Sequence, residues 1–273
     1  MSARSSAQDA VARATRSNAF ESAARIGYAV SGVLHLLVGY IILQIALGAG
    51  GEADSSGALG TLARQTGGAA MLWLAAIGLL ALALWRLAET AVGPHPSERY
   101  DEEQGETRVT KRLKSFSLAV IYIAVAYSAI KFASGGGQPH TARNTELSAR
   151  LMGSGAGKAV LIAVGLVLVG VGSYHAYKGF TKRFLKDLKV GGGRWITPIG
   201  VVGYIAKGLV LGGAGVLVIV AWLTADPSKA TGVDAAAKAL GTAPFGKFLL
   251  IAAALGIAAF GLYSFVRSRH ARM

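Results

Sequence analysis

In this chain of 273 residues, 53% are hydrophobic and only 15% are charged, whereas soluble domains carry about a quarter charged residues. A net charge of +14 raises nucleic acid as a partner, but no recognition motif accompanies the basic residues, so no nucleic-acid role is expected. With no cysteine, disulfides and thiolate metal sites are excluded.

In chain order, residues 1–19 are polar and rich in Ala and Ser, which predicts a disordered cytoplasmic start. Six apolar stretches follow, roughly 26–47, 69–88, 116–133, 159–177, 196–223 and 247–266. Each is long enough to cross a hydrocarbon core of about 30 Å as a helix, with a rise of about 1.5 Å per residue. Helices are expected because a backbone in lipid must satisfy its own hydrogen bonds. The first stretch exceeds a signal-peptide apolar run and is read as a retained span.

Leu62, Leu151 and Leu240 are spaced 89 residues apart, as are Gly68, Gly157 and Gly246, and Trp85, Tyr174 and Tyr263. One unit is therefore repeated three times, and each unit is a pair of spans. The predicted units are 20–92, 112–180 and 195–268, joined by linkers 93–111 and 181–194 and followed by a tail 269–273. Because each unit has an even number of spans, all three face the same way, related by a pseudo-threefold axis along the membrane normal. The expected fold is an all-α integral membrane protein of six helices in three parallel hairpins. The first helices align Arg25–His35 with Arg112–Tyr122, so that Gly32, Ala119 and Gly208 correspond, as do Tyr28 and Tyr204. Short amphipathic runs in the external loops (57–65, 145–152 and 233–240) predict surface helices. Leu59, Leu62, Leu147, Leu151, Val233 and Leu240 should face inward.

Nineteen of the Lys and Arg residues fall on the side of the termini and linkers, and eight on the other. The positive-inside rule then makes the termini cytoplasmic. Abundant glycine inside the spans, including Gly208-x-x-x-Gly212 and Ala252-x-x-x-Gly256, predicts close internal helix packing, with a homodimer face as the alternative.

Gly203-Tyr204-x-x-Lys207-Gly208, followed by Ala243-Pro244-Phe245-Gly246 and an apolar helix, resembles the bacterial domain-of-unknown-function family 1206. The resemblance covers roughly residues 20–268 and is clearest in the third unit. It implies a bacterial inner-membrane protein of three two-helix units, of a kind common in actinobacteria, and brings no activity or site.

Ionisable residues within spans are functional candidates by default. Arg86 and His175 are repeat equivalents near the cytoplasmic ends of spans two and four, and Glu89, Lys178 and Arg267 are equivalents one turn further out. Snorkelling to lipid head groups would satisfy them; the alternative is a polar layer around the pseudo-axis. His35, Tyr122 and Lys207 lie deeper and are the candidates for lining a solute path. Lys207 could also pair with a carboxylate such as Glu89. Lys182, Arg183, Lys186 and Lys189 would form a basic helical surface suited to anionic lipid. No metal, cofactor or catalytic motif is found. The expectation is a non-enzymatic scaffold or accessory protein binding lipid or membrane-protein partners, with a channel or carrier as the alternative.

Overall fold

The computed structural model describes residues 18–92, 108–138 and 140–271; the N-terminal segment 1–17 and most of the first linker, 93–107, lie outside them. Nine α-helices appear among the described residues: α1 (Asn18–Ala46), α2 (Ser55–Ala63), α3 (Gly68–Val92), α4 (Arg108–Ala133), α5 (His140–Met152), α6 (Gly155–Phe180), α7 (Ile196–Leu223), α8 (Val233–Thr242) and α9 (Gly246–His270). Six of them, α1, α3, α4, α6, α7 and α9, are long and apolar enough to cross a membrane. The three short ones lie in the loop between the two spans of each unit, where the amphipathic runs predict them.

The repeat signature has a steric cause. Gly68, Gly157 and Gly246 each open the second helix of a unit. A Cβ on them would lie 2.0, 2.1 and 2.4 Å from the carbonyl oxygens of Leu62, Leu151 and Leu240. Only glycine lets the loop helix turn so tightly into the following span. At the residue before, Gly67 has φ +77° and Phe245 φ +60°, so the degraded Pro-Phe-Gly pattern of the first unit keeps the left-handed turn.

Packing follows the repeat as well. The tightest helix pairs join the second helix of one unit to the first helix of the next: α3 to α4, α6 to α7, and α9 back to α1. Small residues line each interface. Gly32 meets Gly261, and Gly208 meets Gly172 and Ala176. At the third interface the equivalent positions are Ala83 and Ala119, both buried. Gly208 is thus spent on internal contacts, as the first reading of its GxxxG pattern expects.

The hairpins themselves are unequal. In the first unit α1 packs on α3, with Gly27 against Gly78 and Leu82. In the third α7 packs on α9, with Gly203 against Phe260 and Gly256 against Ala206. The second unit has no packed interface between α4 and α6 among the described residues. The helix order around the bundle is therefore α4, α3, α1, α9, α7, α6, and the ring is open between its two ends.

On the hairpin side the loop helices are held by polar contacts. Asp54 caps α2, accepting from the backbone N–H of Ser56 (2.8 Å) and Gly57 (3.0 Å). His140 N–H donates to Ser56 Oγ at 2.9 Å, tying the second unit's loop to the first. One inward-facing expectation is corrected. Leu147 is exposed, because α5 turns Ser148 and Leu151 toward its neighbours. In α8 Val233 is half-buried and the neighbouring Asp234 is fully buried, its carboxylate accepting from Ala53 N–H (3.1 Å) and pairing with Lys238 (2.7 Å).

Glu52 borders this acidic group. Partial burial, then Asp54 and Asp234, push its carboxyl above the usual glutamate range. A raised acid favours the folded state at low pH, and this advantage is lost as pH rises from the ordinary glutamate range through the folded value. Glu52→Gln should therefore raise the unfolding temperature at neutral pH and leave it nearly unchanged below about pH 4, measured by thermal scans of the detergent-solubilised protein at both pH values.

Candidate functional site

The polar residues of the spans gather on the linker side, around Tyr28 of α1. Its hydroxyl accepts from Arg86 Nη2 of α3 (3.1 Å) and from Arg267 Nη2 of α9 (3.0 Å). The Arg267 guanidinium also lies 4.3 Å from the centre of the Tyr28 ring. Two cations thus converge on one phenol oxygen. Glu89 stands beside them, taking Arg86 Nη1 (2.6 Å), Trp85 Nε1 (2.6 Å) and Ser115 Oγ of α4 (2.9 Å). Tyr122, from α4, packs against Tyr28 and Leu82 and lies within electrostatic range of Arg86, Arg267 and Tyr204.

The repeat explains this convergence. Tyr28, Ser115 and Tyr204 occupy one register position on the three first helices, and Glu89, Lys178 and Arg267 occupy one on the three second helices. Each second-helix residue meets the first helix of the next unit: Glu89 bonds Ser115, Lys178 lies 5.5 Å from the Tyr204 ring centre, and Arg267 bonds Tyr28. Three chemically different side chains fill equivalent places, so the layer is threefold in position and not in charge.

Lys178 pairs with Asp187 at 2.7 Å. Asp187 ends a short 3-10 turn, Arg183–Asp187, which corrects the expectation of a continuous basic helix over the second linker. Phe184 and Leu188 are fully buried, and Tyr263 donates its hydroxyl to the Phe184 carbonyl at 2.8 Å. Phe184 stacks on Tyr204 (5.2 Å between centroids) and meets Tyr263 edge-on (5.2 Å). Burying two apolar residues pins the linker into the bundle, leaving Lys182, Arg183, Lys186 and Lys189 exposed around it. His175 donates from Nδ1 to the Val171 carbonyl (2.9 Å) and stacks on Tyr204.

Deeper in the bundle, Lys207 of α7 donates to Nε2 of His35 on α1 at 3.2 Å. His35 Nδ1 donates to the Ser31 carbonyl (2.7 Å), which leaves Nε2 as the acceptor. The Lys207 ammonium also sits 3.9 Å from the centre of the Phe260 ring. The partner of Lys207 is therefore a histidine in the seam of α1, α7 and α9. Glu89, the carboxylate suggested by sequence, is committed to Arg86.

Arg86 and Glu89 turn inward, with side chains 13% and 8% exposed, so the bundle satisfies them without snorkelling. Tyr28, Ser115, Asp187 and Tyr204 complete the layer although sequence reasoning did not single them out. The shared register of Tyr28 and Tyr204 was the available signal. Neither Arg267 nor Lys207 has a carboxylate within 4 Å among the described residues. Among the described residues, the interior cations Arg86 and Lys178 pair with Glu89 and Asp187, while Arg267 and Lys207 bond to Tyr28 and His35. No group of His, Asp and Glu able to hold a metal ion occurs among the described residues.

No solved structure matches the chain. It is 28% identical over 256 residues to an uncharacterised protein of Bacillus subtilis (strain 168), YxxB, covering 91% of this chain and 90% of the relative. The Domain of Unknown Function family DUF1206 matches three times, over residues 26–93, 113–182 and 202–271. These are the three hairpins that pack through one another's equivalent faces, and the chain belongs to the DUF1206 family.

Proposed function

We propose that the protein is a non-enzymatic scaffold or accessory protein of the bacterial inner membrane, with its termini in the cytoplasm, that binds an anionic lipid head group at its interior polar layer. The observation that carries this reading is the convergence of Arg86 and Arg267 on Tyr28, with Glu89 beside them. Two adjacent guanidinium groups repel each other, and a phosphate offers the oxygen acceptors and the charge that balance them. The exposed Lys182, Arg183, Lys186 and Lys189 would add attraction toward an anionic leaflet, at about 1 kcal/mol per basic residue near the surface. A conduction path lined by His35, Tyr122 and Lys207 draws less support. His35 and Lys207 are bonded to each other in a helix seam, and Tyr122 packs beside Tyr28.

The reading is tested by thermal unfolding in a neutral detergent with added phosphatidylglycerol or phosphatidylcholine. A ligand that binds only the folded state stabilises it by about 2.7 kcal/mol at a hundred times its dissociation constant. The anionic lipid should raise the unfolding temperature by several degrees and the zwitterionic lipid should not. Arg267→Gln should abolish the difference. Equal shifts from the two lipids, or a selective shift that survives Arg267→Gln, would refute the site.

A further inference from the structure

The open side of the ring has a cause in the sequence. The hairpins of the first and third units close through glycines: Gly27 and Gly78 in one, Gly203 and Gly256 in the other. At the same repeat positions the second unit carries Lys114 and Val167. The consequence runs along the whole face of α6. Ala81, Leu82 and Trp85 are buried in the first unit, and Phe260 and Tyr263 in the third. Their equivalents Gly170, Val171 and Tyr174 are exposed, with Val167 itself 63% exposed against fully packed glycines at its counterparts. On α4, Ile121 is 54% exposed where its equivalent Leu34 is 6%. Of the six spans, α4 and α6 have the least of their surface buried.

We infer that the groove between α4 and α6 is the seat of one anionic phospholipid, its acyl chain lying where the other hairpins have helix–helix contact and its phosphate reaching the polar layer from the membrane. This rests on the lipid-binding reading above and names its entry. The apolar stripe Val167, Val171 and Tyr174 continues along α6, three helical turns from Val167, to Lys178. Across the groove, Ser115 and Tyr122 of α4 belong to the layer, and Lys114 stands in the sequence where the other two units carry glycine. Lys111 and Arg112 precede it by less than a turn. An apolar slot with Lys178 at its linker end complements an acyl chain below a phosphate. A second copy of the chain would bring the same positive charge against it.

The test uses the full chain in phosphatidylcholine vesicles doped with phosphatidylglycerol or phosphatidylcholine carrying a diazirine on the acyl chain, with crosslinked residues mapped by mass spectrometry. The phosphatidylglycerol probe should label residues 114–121 and 167–174 several-fold more than the phosphatidylcholine probe, and other lipid-facing helices equally. Restoring the closing glycines with Lys114→Gly and Val167→Gly should remove that preference. If this variant fails to fold, Val167→Trp fills the slot without changing charge and should do the same. Equal labelling by both probes overturns the proposal, as does protection of the groove from both probes in a dimer. If the groove shows no preference while the Arg267-dependent thermal shift persists, only the entry falls. If wild type shows no shift, the lipid reading falls with it.

Discussion

Glu89→Ala is expected to destabilise the folded protein by about 3–5 kcal/mol, the cost of removing one partner from a buried ion pair. Glu89 accepts hydrogen bonds from Arg86, Trp85 and Ser115, which belong to two helices. Its loss strands two donors besides the Arg86 guanidinium, and removes the carboxylate that stands beside Arg86 and Arg267 where they share Tyr28. Glu89→Gln keeps an acceptor for Trp85 and removes only the charge, so its loss should be smaller, about 1–3 kcal/mol. Arg86→Met combined with Glu89→Met removes both charges of the pair and should recover much of what Glu89→Ala loses. The measurement is the unfolding midpoint in detergent for the four proteins. If the double variant is as unstable as Glu89→Ala, the pair is not the source of the cost.

That layer was half legible in the sequence. Arg86, Glu89, His175, Lys178 and Arg267 announce themselves, because ionisable residues near span ends at repeat-equivalent positions need a partner or water. Their partners do not. Whether Arg86 snorkels or turns inward depends on which helix stands next to it. The 89-residue period fixes equivalence between units but not adjacency. The spans, the hairpins and the loop helices were readable because each rests on local pattern: apolar length, or the glycine that must pass the Leu62, Leu151 or Leu240 carbonyl. Asp234 was unreadable for the opposite reason. Its burial depends on the Ala53 N–H of a loop 181 residues away. Phe184 was hidden by its neighbours, since a run with Lys182, Arg183 and Lys186 reads as a solvated helix until the Tyr263 hydroxyl supplies an anchor. The open hairpin was written in plain view as Lys114 and Val167 where the other units have glycine. It gains meaning only once Gly27, Gly78, Gly203 and Gly256 are seen to be the closing contacts.

Gly172→Val should be among the most damaging substitutions within the spans. A Cβ at Gly172 would lie 2.5 Å from the Gly212 nitrogen and 2.6 Å from the Gly208 carbonyl oxygen. Both are backbone atoms of α7, so no rotamer change relieves the overlap and the two helices must separate. Overpacking of this kind costs about 1–3 kcal/mol, occasionally more. Here the upper end is expected, because α6 has no packed interface with α4 and depends on α7 for its place among the spans. In lipid that place is held by close packing, with little hydrophobic drive to replace it. The repeat supplies graded controls. At Gly32, on the equivalent interface of α1 and α9, the nearest atom is the movable ring of Phe265 at 2.9 Å, with the Gly261 carbonyl oxygen at 3.0 Å. At Gly170, two residues from Gly172, a Cβ meets nothing within 4 Å. The unfolding midpoints should therefore fall in the order Gly170→Ala, Gly32→Ala, Gly172→Ala, Gly172→Val, with Gly170→Ala unchanged or slightly stabilised by its better helix propensity. A Gly172→Val protein as stable as Gly170→Ala would mean that α6 is not held by α7, and the interlocked order of the three units would have to be redrawn.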